Sequence, residues 1–428
     1  VNQFAIVFLI TTAVTMLLAP RSWAPLPLLA GAGYMTVGQV IEIGPLHFTV
    51  IRVLIAIGII RIIARREWIK GGISSLDWLL FAWAVWALIS SFFHEDPSSA
   101  FISRLGLIYN ACGIYVLLRV LCQTSEDVIR LCGLTAILLV PIAVEMVYEK
   151  ATYYNLFSVF GGVPAEPAIR EGKLRAQGPF AHAIIAGTIG AVCLPLMIGL
   201  WQLHRKKVAV IGITACMAMI VSSSSSGPIL TLMLGTGAMF MWYCRNQMQL
   251  VRWLAVLGYI LLDLVMKPPA YYVLAKIDLV GGSTGWHRAR LLQVAFESLN
   301  EWWLAGTDYT RHWMPYGVPF SENHADITNY YLEMGIIGGL PLMFLFIMVL
   351  AKGFSFVGQT IRRTNIVQMD VRFIVWTLGA ALFAQAASFF SITYFDQSFL
   401  FLYLNLAAIA SMRYAVVVGS AQEKSLAV

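Results

Sequence analysis

The stretch SENHADITNYYLEMGIIGGL, residues 321–340, passes from polar to apolar within a few positions and carries one histidine, His324, at the changeover. A neutral imidazole is the side chain best matched to accepting a proton near pH 7. The pattern predicts a helix entrance, with Asn323 as cap and Asp326 three residues on in a box-like arrangement. His324 would then sit in the first turn, where the helix dipole disfavours the imidazolium and keeps the ring neutral. Thr328, Tyr331 and Gly335 would follow it along one face. Gly335, Gly338 and Gly339 would let the helix pack closely on a neighbour. Glu333 would lie about 13 Å along the helix from His324 at a rise of about 1.5 Å per residue, and must face protein or water.

Two other stretches offer cations. In KLRAQGPFAHAIIAG (173–187), Arg175 stands just outside an apolar run. A guanidinium at a membrane interface suits bidentate phosphate binding, or it anchors the span by snorkelling. His182 reads as a helix-entry residue. In GGSTGWHRARLLQVAFESLNEWWLAG (281–306), Leu291, Leu292, Ala295, Phe296, Leu299, Trp302 and Trp303 recur at helical spacing. This predicts an amphipathic helix on or near the membrane surface, capped by Ser283 or Thr284. Arg288 and Arg290 fall in its first turns, where a helix N-terminus favours anions. Two residues apart, they point to different faces, so one can meet a ligand while the other pairs with an acid. A fourth stretch, HEDP (94–97), could hold a divalent metal through His94, Glu95 and Asp96, or form an ordinary polar turn. The sequence contains no Walker, HExxH, GxSxG or Rossmann motif.

Such groups need a frame, and composition names it. The chain is 59% hydrophobic and 12% charged, whereas soluble domains carry about 25% charged residues. Apolar runs of about 20 residues recur, as in polytopic helical membrane proteins. Thirteen segments are expected, near 3–20, 23–43, 47–63, 76–93, 104–121, 128–146, 183–203, 208–221, 227–244, 250–266, 327–351, 372–391 and 396–413. The first is expected to be retained rather than cleaved. The fold class is therefore all-α and polytopic, with N-terminal spans in 1–146, a loop in 147–182, central spans in 183–266, a long loop in 267–326 and C-terminal spans in 327–428.

The net charge of +7 does not indicate nucleic acid, because basic residues cluster between apolar runs as topology signals. The runs RIIARREWIK, HRKK, CRNQ and IRR alternate onto one face, the cytoplasmic one. Both long loops then lie opposite, yet carry Lys150, Arg170, Lys173, Arg175, Lys267, Lys276, Arg288, Arg290 and Arg311. Cations there call for local acids such as Glu166, Glu171, Asp278 and Asp308, or for an anionic partner. The six cysteines fall in or beside apolar runs and form no CxxC pattern. SSSSSG (222–227) fits a tight turn and also offers hydroxyls to a ligand.

Together these stretches resemble the O-antigen ligase and O-antigen (exopolysaccharide) polymerase superfamily of membrane glycosyltransferases, with a GT-C-like fold. Its pattern is an Arg before Gly-x-Phe, here Arg175, Gly178 and Phe180. Next comes an Arg opening a loop helix that ends in Gly, here Arg288 and Gly306, then a His eleven residues before Gly-x-x-Gly, here His324, Gly335 and Gly338. The likeness covers about residues 173–345. It implies glycan transfer from undecaprenyl diphosphate to a glycan or lipid A-core acceptor, at the periplasmic face of the bacterial inner membrane, with inversion and without metal or other cofactor. On that reading Arg175 and Arg288 hold the diphosphate, His324 is the base, Arg290 supports the arginines and Tyr331 orients the histidine. Two departures stand out. Ala325 replaces an Asn common after the His, and Ser226-Gly227-Pro228 replaces Ser-Arg-Gly, a form that tilts the reading towards a polymerase. The alternatives are a flippase of anionic lipid-linked glycan, or a metal-dependent glycosyltransferase using Glu95 and Asp96.

Overall fold

The structure is a computed structural model that describes residues 2–44, 46–276, 279, 285–318, 321–364 and 369–426. Ser283, Thr284 and Asp278 lie outside the described residues. The chain is mostly helical and polytopic. It begins with α1 (Gln3–Leu18), α2 (Pro25–Tyr34), the hairpin β1–β2 (Val40–Ile43, Leu46–Thr49) and α3 (Val50–Arg65). Then follow α4 (Ser75–Ser90), α5 (Pro97–Leu121), α6 (Ser125–Thr152), a short pair β3–β4 (Ile169–Arg170, Lys173–Leu174), α7 (Ala183–Gln202), α8 (Lys206–Ser222), α9 (Ser226–Phe240) and α10 (Met248–Val265). The long loop holds α11 (Val273–Lys276), α12 (Gly285–Glu297), α13 (Leu299–Trp302) and the pair β5–β6 (Gly317–Val318, Ser321–Ala325). The chain ends with α14 (Tyr330–Arg363), α15 (Met369–Ser388) and α16 (Phe399–Leu426).

Local chemistry explains the starts. Ser74 with Asp77 and Thr124 with Asp127 form capping boxes on α4 and α6. Asp96 caps α5, with Pro97 at its first position. In the centre, α7 is apolar on all sides and packs against α6, α8, α9 and α15.

Among the described residues, eight helices are long and apolar enough to cross a membrane, rather than thirteen. Nine of the expected segments lie in these eight, because 227–244 and 250–266 join through a short 3-10 turn. The other four fall short. Segments 3–20 and 47–63 hold helices of 16 residues and 208–221 one of 17, about 24–26 Å at 1.5 Å per residue against about 30 Å of hydrocarbon. Segment 23–43 stops helically at Tyr34 and turns into the β hairpin.

The helix entrance expected at Asn323 is displaced. Residues 321–325 form strand β6, and α14 starts at Tyr330 with Asn329 as its cap, its Oδ1 accepting from the Leu332 N–H at 3.0 Å. Asn323 instead gives its carbonyl to the Thr310 N–H. Strand β6 buries Ala325 among Trp302, Trp313 and Leu332 and leaves Asn323 exposed. That burial wins over the capping signal.

The glycines of α14 do more than permit close packing. Gly335 faces the Trp302 ring. At Gly338 (φ −153°, ψ 25°) and Gly339 (φ 74°, ψ −175°) the helix breaks. The segment after α13 docks into the break: the Thr307 N–H donates to Ile336 O at 3.0 Å and the Leu340 N–H to Trp303 O at 2.8 Å. Ile337 O accepts from Arg104 Nη2 at 3.0 Å, and Gly338 O from Trp86 Nε1 at 2.7 Å. Every freed group named here has a protein partner, as irregular backbone at membrane depth requires.

Candidate functional site

Arg175 leaves β4 directly, and its N–H donates to Ala168 O at 3.0 Å. The following residues are fastened from three sides. The Gln177 and Gly178 N–H groups donate to Glu149 Oε2 at 3.0 and 2.8 Å. Ala176 N donates to Ser222 O, and Ala181 N to Asp396 Oδ2. Gly178 adopts φ 56° and lies where a Cβ would press on Glu145 and Met146, which explains the glycine. Thus fixed, Arg175 is 8% exposed, and its Nε and Nη2 donate to Ser225 Oγ at 3.2 and 2.7 Å. The serine run is therefore both a turn between α8 and α9 and a ligand of this guanidinium.

His182 caps α7, its Nδ1 accepting from the Ile184 N–H at 3.1 Å. Burial, then Arg175 and Arg170, push its pKa down to about 4. The ring is neutral at pH 7 and keeps an Nε2–H as donor.

Arg288 comes from the other loop, in the first turns of α12. That helix buries Leu291, Val294 and Ala295 in one cluster with residues of α13, β6 and the first half of α14. The amphipathic helix expected over 286–303 is interrupted at Ser298. Burial and Arg170 lower the pKa of Arg288, with Asp326 acting the other way. Burial and Arg170 likewise lower that of Arg175. The charge of Arg170 thus bears on Arg175, His182 and Arg288, and links the two loops electrostatically. Sequence reading counted Arg170 among the loop cations without singling it out; the β3–β4 hairpin that presents it has no strong signal. Arg288 Nε is buried and has no hydrogen-bond partner among the described residues. Arg290 is half-buried and makes no hydrogen bond among them.

His324 is half-buried on β6, with Nδ1 2.7 Å from Ser321 Oγ. Its Nε2 has no partner among the described residues. The expected account of its neutrality, by a helix N-terminus, does not apply on a strand. Asp326, two residues on, is exposed, interacts electrostatically with Arg288, and gives its carbonyl to His287 Nε2 at 3.0 Å. Among the described residues, no hydrogen bond joins His324 to Arg175 or Arg288. Tyr331 does not orient His324: its hydroxyl donates to Ala386 O at 2.7 Å and its ring packs on Phe390.

The HEDP residues are engaged elsewhere. His94 Nδ1 lies 2.5 Å from Asp308 Oδ1, and its Nε2 lies 3.1 Å from the carbonyls of Ala305 and Ile337. Partial burial pushes Asp308 up, but the Glu95 N–H, His94 and Arg104 outweigh it and hold the carboxyl below its usual range. Asp96 accepts from the N–H groups of Ser98 and Ser99 as the cap of α5. Among the described residues, no three His, Cys, Asp or Glu side chains are grouped to hold a metal ion.

No protein-family model matches the chain, and no curated protein matches it. Its chemistry is read from its own side chains. The charge of Arg170 acts on Arg175, on the neutral His182 and on Arg288, and Asp326 is the one described carboxylate acting on Arg288. Guanidinium groups so arranged suit an anion with several oxygens.

Proposed function

We propose that this protein is an inverting, metal-independent glycosyltransferase that moves glycan from undecaprenyl diphosphate to an acceptor hydroxyl at the periplasmic face of the inner membrane. It would act as a surface-polysaccharide polymerase or an O-antigen ligase, and the Ser226-Gly227-Pro228 form favours the polymerase. The observation carrying this reading is that Arg170 acts electrostatically on both Arg175 and Arg288, which come from loops more than a hundred residues apart. The arginines hold the diphosphate and stabilise the charge that grows as the glycosyl C–O bond breaks. His324 Nε2 takes the proton from the attacking hydroxyl. The bond electrons leave with undecaprenyl diphosphate, and the new bond forms on the opposite face of the sugar. The Nε2–H of His182 adds a neutral donor for a phosphate oxygen.

The test uses purified His324→Ala and Arg288→Ala proteins with lipid-linked donor and EDTA. Each should lose transfer by about 10²–10⁴-fold while keeping its melting temperature. Near-normal transfer in both sinks the proposal, and loss of wild-type activity in EDTA selects the metal-dependent alternative. The broken α14 favours one second reading, a lipid-linked glycan flippase, since transporters use discontinuous helices. Substrate movement in vesicles without new glycosidic bonds would select it.

A further inference from the structure

A cavity of about 110 Å³ lies between the start of α3, α5 and the turn before α16. It sits behind the segment that carries the arginine site: Gln397 Nε2 donates to Pro179 O at 2.8 Å, and Asp396 Oδ2 accepts from the Ala181 N–H at 2.9 Å. Its wall includes Thr49, Arg52, Asn110, Phe395, Asp396 and Gln397.

Several of these polar groups are only partly used. Gln397 is 2% exposed, yet its Oε1 has no hydrogen-bond partner. A buried acceptor left this way costs about 1–3 kcal/mol. Thr49 stands at the N-cap of α3, but its hydroxyl makes no capping bond. Arg52 donates through Nε to Asn110 Oδ1 at 3.2 Å and through Nη1 to His47 O at 2.5 Å, which leaves its Nη2 donors. Asp396 accepts the Ser398 N–H on Oδ1 and the Ala181 N–H on Oδ2, with the Ser398 hydroxyl beside it, while a carboxylate offers about four acceptor sites. Phe395 adds an exposed ring.

We propose that this cavity binds one neutral sugar ring. The argument is one of charge and valence. An anion would meet Asp396, and a cation would meet Arg52. A hydroxyl both donates and accepts, so neighbouring sugar hydroxyls can give to Gln397 Oε1 and Asp396 while taking from Arg52 and Asn110. The volume holds several water molecules, which the hydroxyls along one ring edge would displace. The apolar face of the ring would rest on Phe395, in the usual manner of a mostly apolar pocket with a few placed polar groups. This site goes beyond the transferase reading, and its binding needs no lipid-linked donor.

The experiment is saturation-transfer-difference NMR on the full-length protein in phosphatidylcholine nanodiscs, which avoids sugar-headed detergents. Glucose, galactose and N-acetylglucosamine are each tested, with phosphate, glucuronate and glycine as competitors. At least one neutral sugar should bind in the millimolar range, and tenfold excesses of the competitors should not displace it. Thr49→Val and Gln397→Leu should each weaken binding more than fivefold. Thr49→Val breaks no bond present in the structure, so it decides the matter even if Gln397→Leu fails to fold. Absence of sugar binding, unchanged binding in Thr49→Val, or displacement by any competitor overturns the assignment.

Discussion

At the scale of single residues, His182 gives the clearest pH signature. Its folded pKa of about 4 lies below the ordinary 6.5, so between these values the unfolded chain binds more protons. Its contribution is fully present above about pH 6.5 and is lost as pH falls towards 4, at about 1.4 kcal/mol per pH unit and ~3 kcal/mol in all. Melting temperatures from pH 7.5 to 4.5 should fall less steeply for His182→Asn, which keeps a capping acceptor; parallel curves would refute the burial argument. Arg175 and Arg288 were conspicuous as cations beside apolar runs, and His182 was legible only as a helix-entry residue, which it is as the cap of α7. Arg170 and Ser225 were not, since their importance lies in which loop they face. His324 was legible as a residue but misplaced in its element: Asn329 shares the capping chemistry of Asn323, and only the burial of Ala325 decides between them.

At the scale of elements, the break in α14 makes the strongest demand on sequence. Gly339 has φ 74°, and a Cβ there would stand 2.2 Å from Leu304 O. Backbone strain alone costs about 1–3 kcal/mol, so Gly339→Ala should lower stability by about 3 kcal/mol or more, read as a fall in melting temperature. Gly237→Ala is the control: nothing lies within 4 Å of its added Cβ, and the helix gains up to about 1 kcal/mol in propensity. Equal melting temperatures for the two variants would contradict the docked arrangement. The glycines were visible in the sequence as a packing face. The break was not, because it depends on Trp86, Arg104 and Thr307, which reach the freed carbonyls from three other elements.

At the scale of the whole molecule, hydropathy announced a multi-pass helical chain, and the structure agrees. Thirteen apolar segments become eight helices of full spanning length because α1, α3 and α8 are short, 23–43 gives way to β1, and α9 and α10 are joined. Sidedness is open to direct measurement. In a cysteine-free background, Glu171→Cys and Glu322→Cys should react with an impermeant maleimide in intact cells, and Lys206→Cys and Arg362→Cys only after permeabilisation; all four positions are exposed. A reversed or mixed pattern would overturn the proposed orientation.

The two loops are mounted on different supports. One is fastened to α6, the serine turn and Asp396; the other is fastened to α14 through its break. Across them Arg170 repels Arg288, and Asp326 offsets part of that repulsion. If the proposed diphosphate binds there, it would act as a clasp across the seam, and the tightness of the two mounts would depend on that ligand.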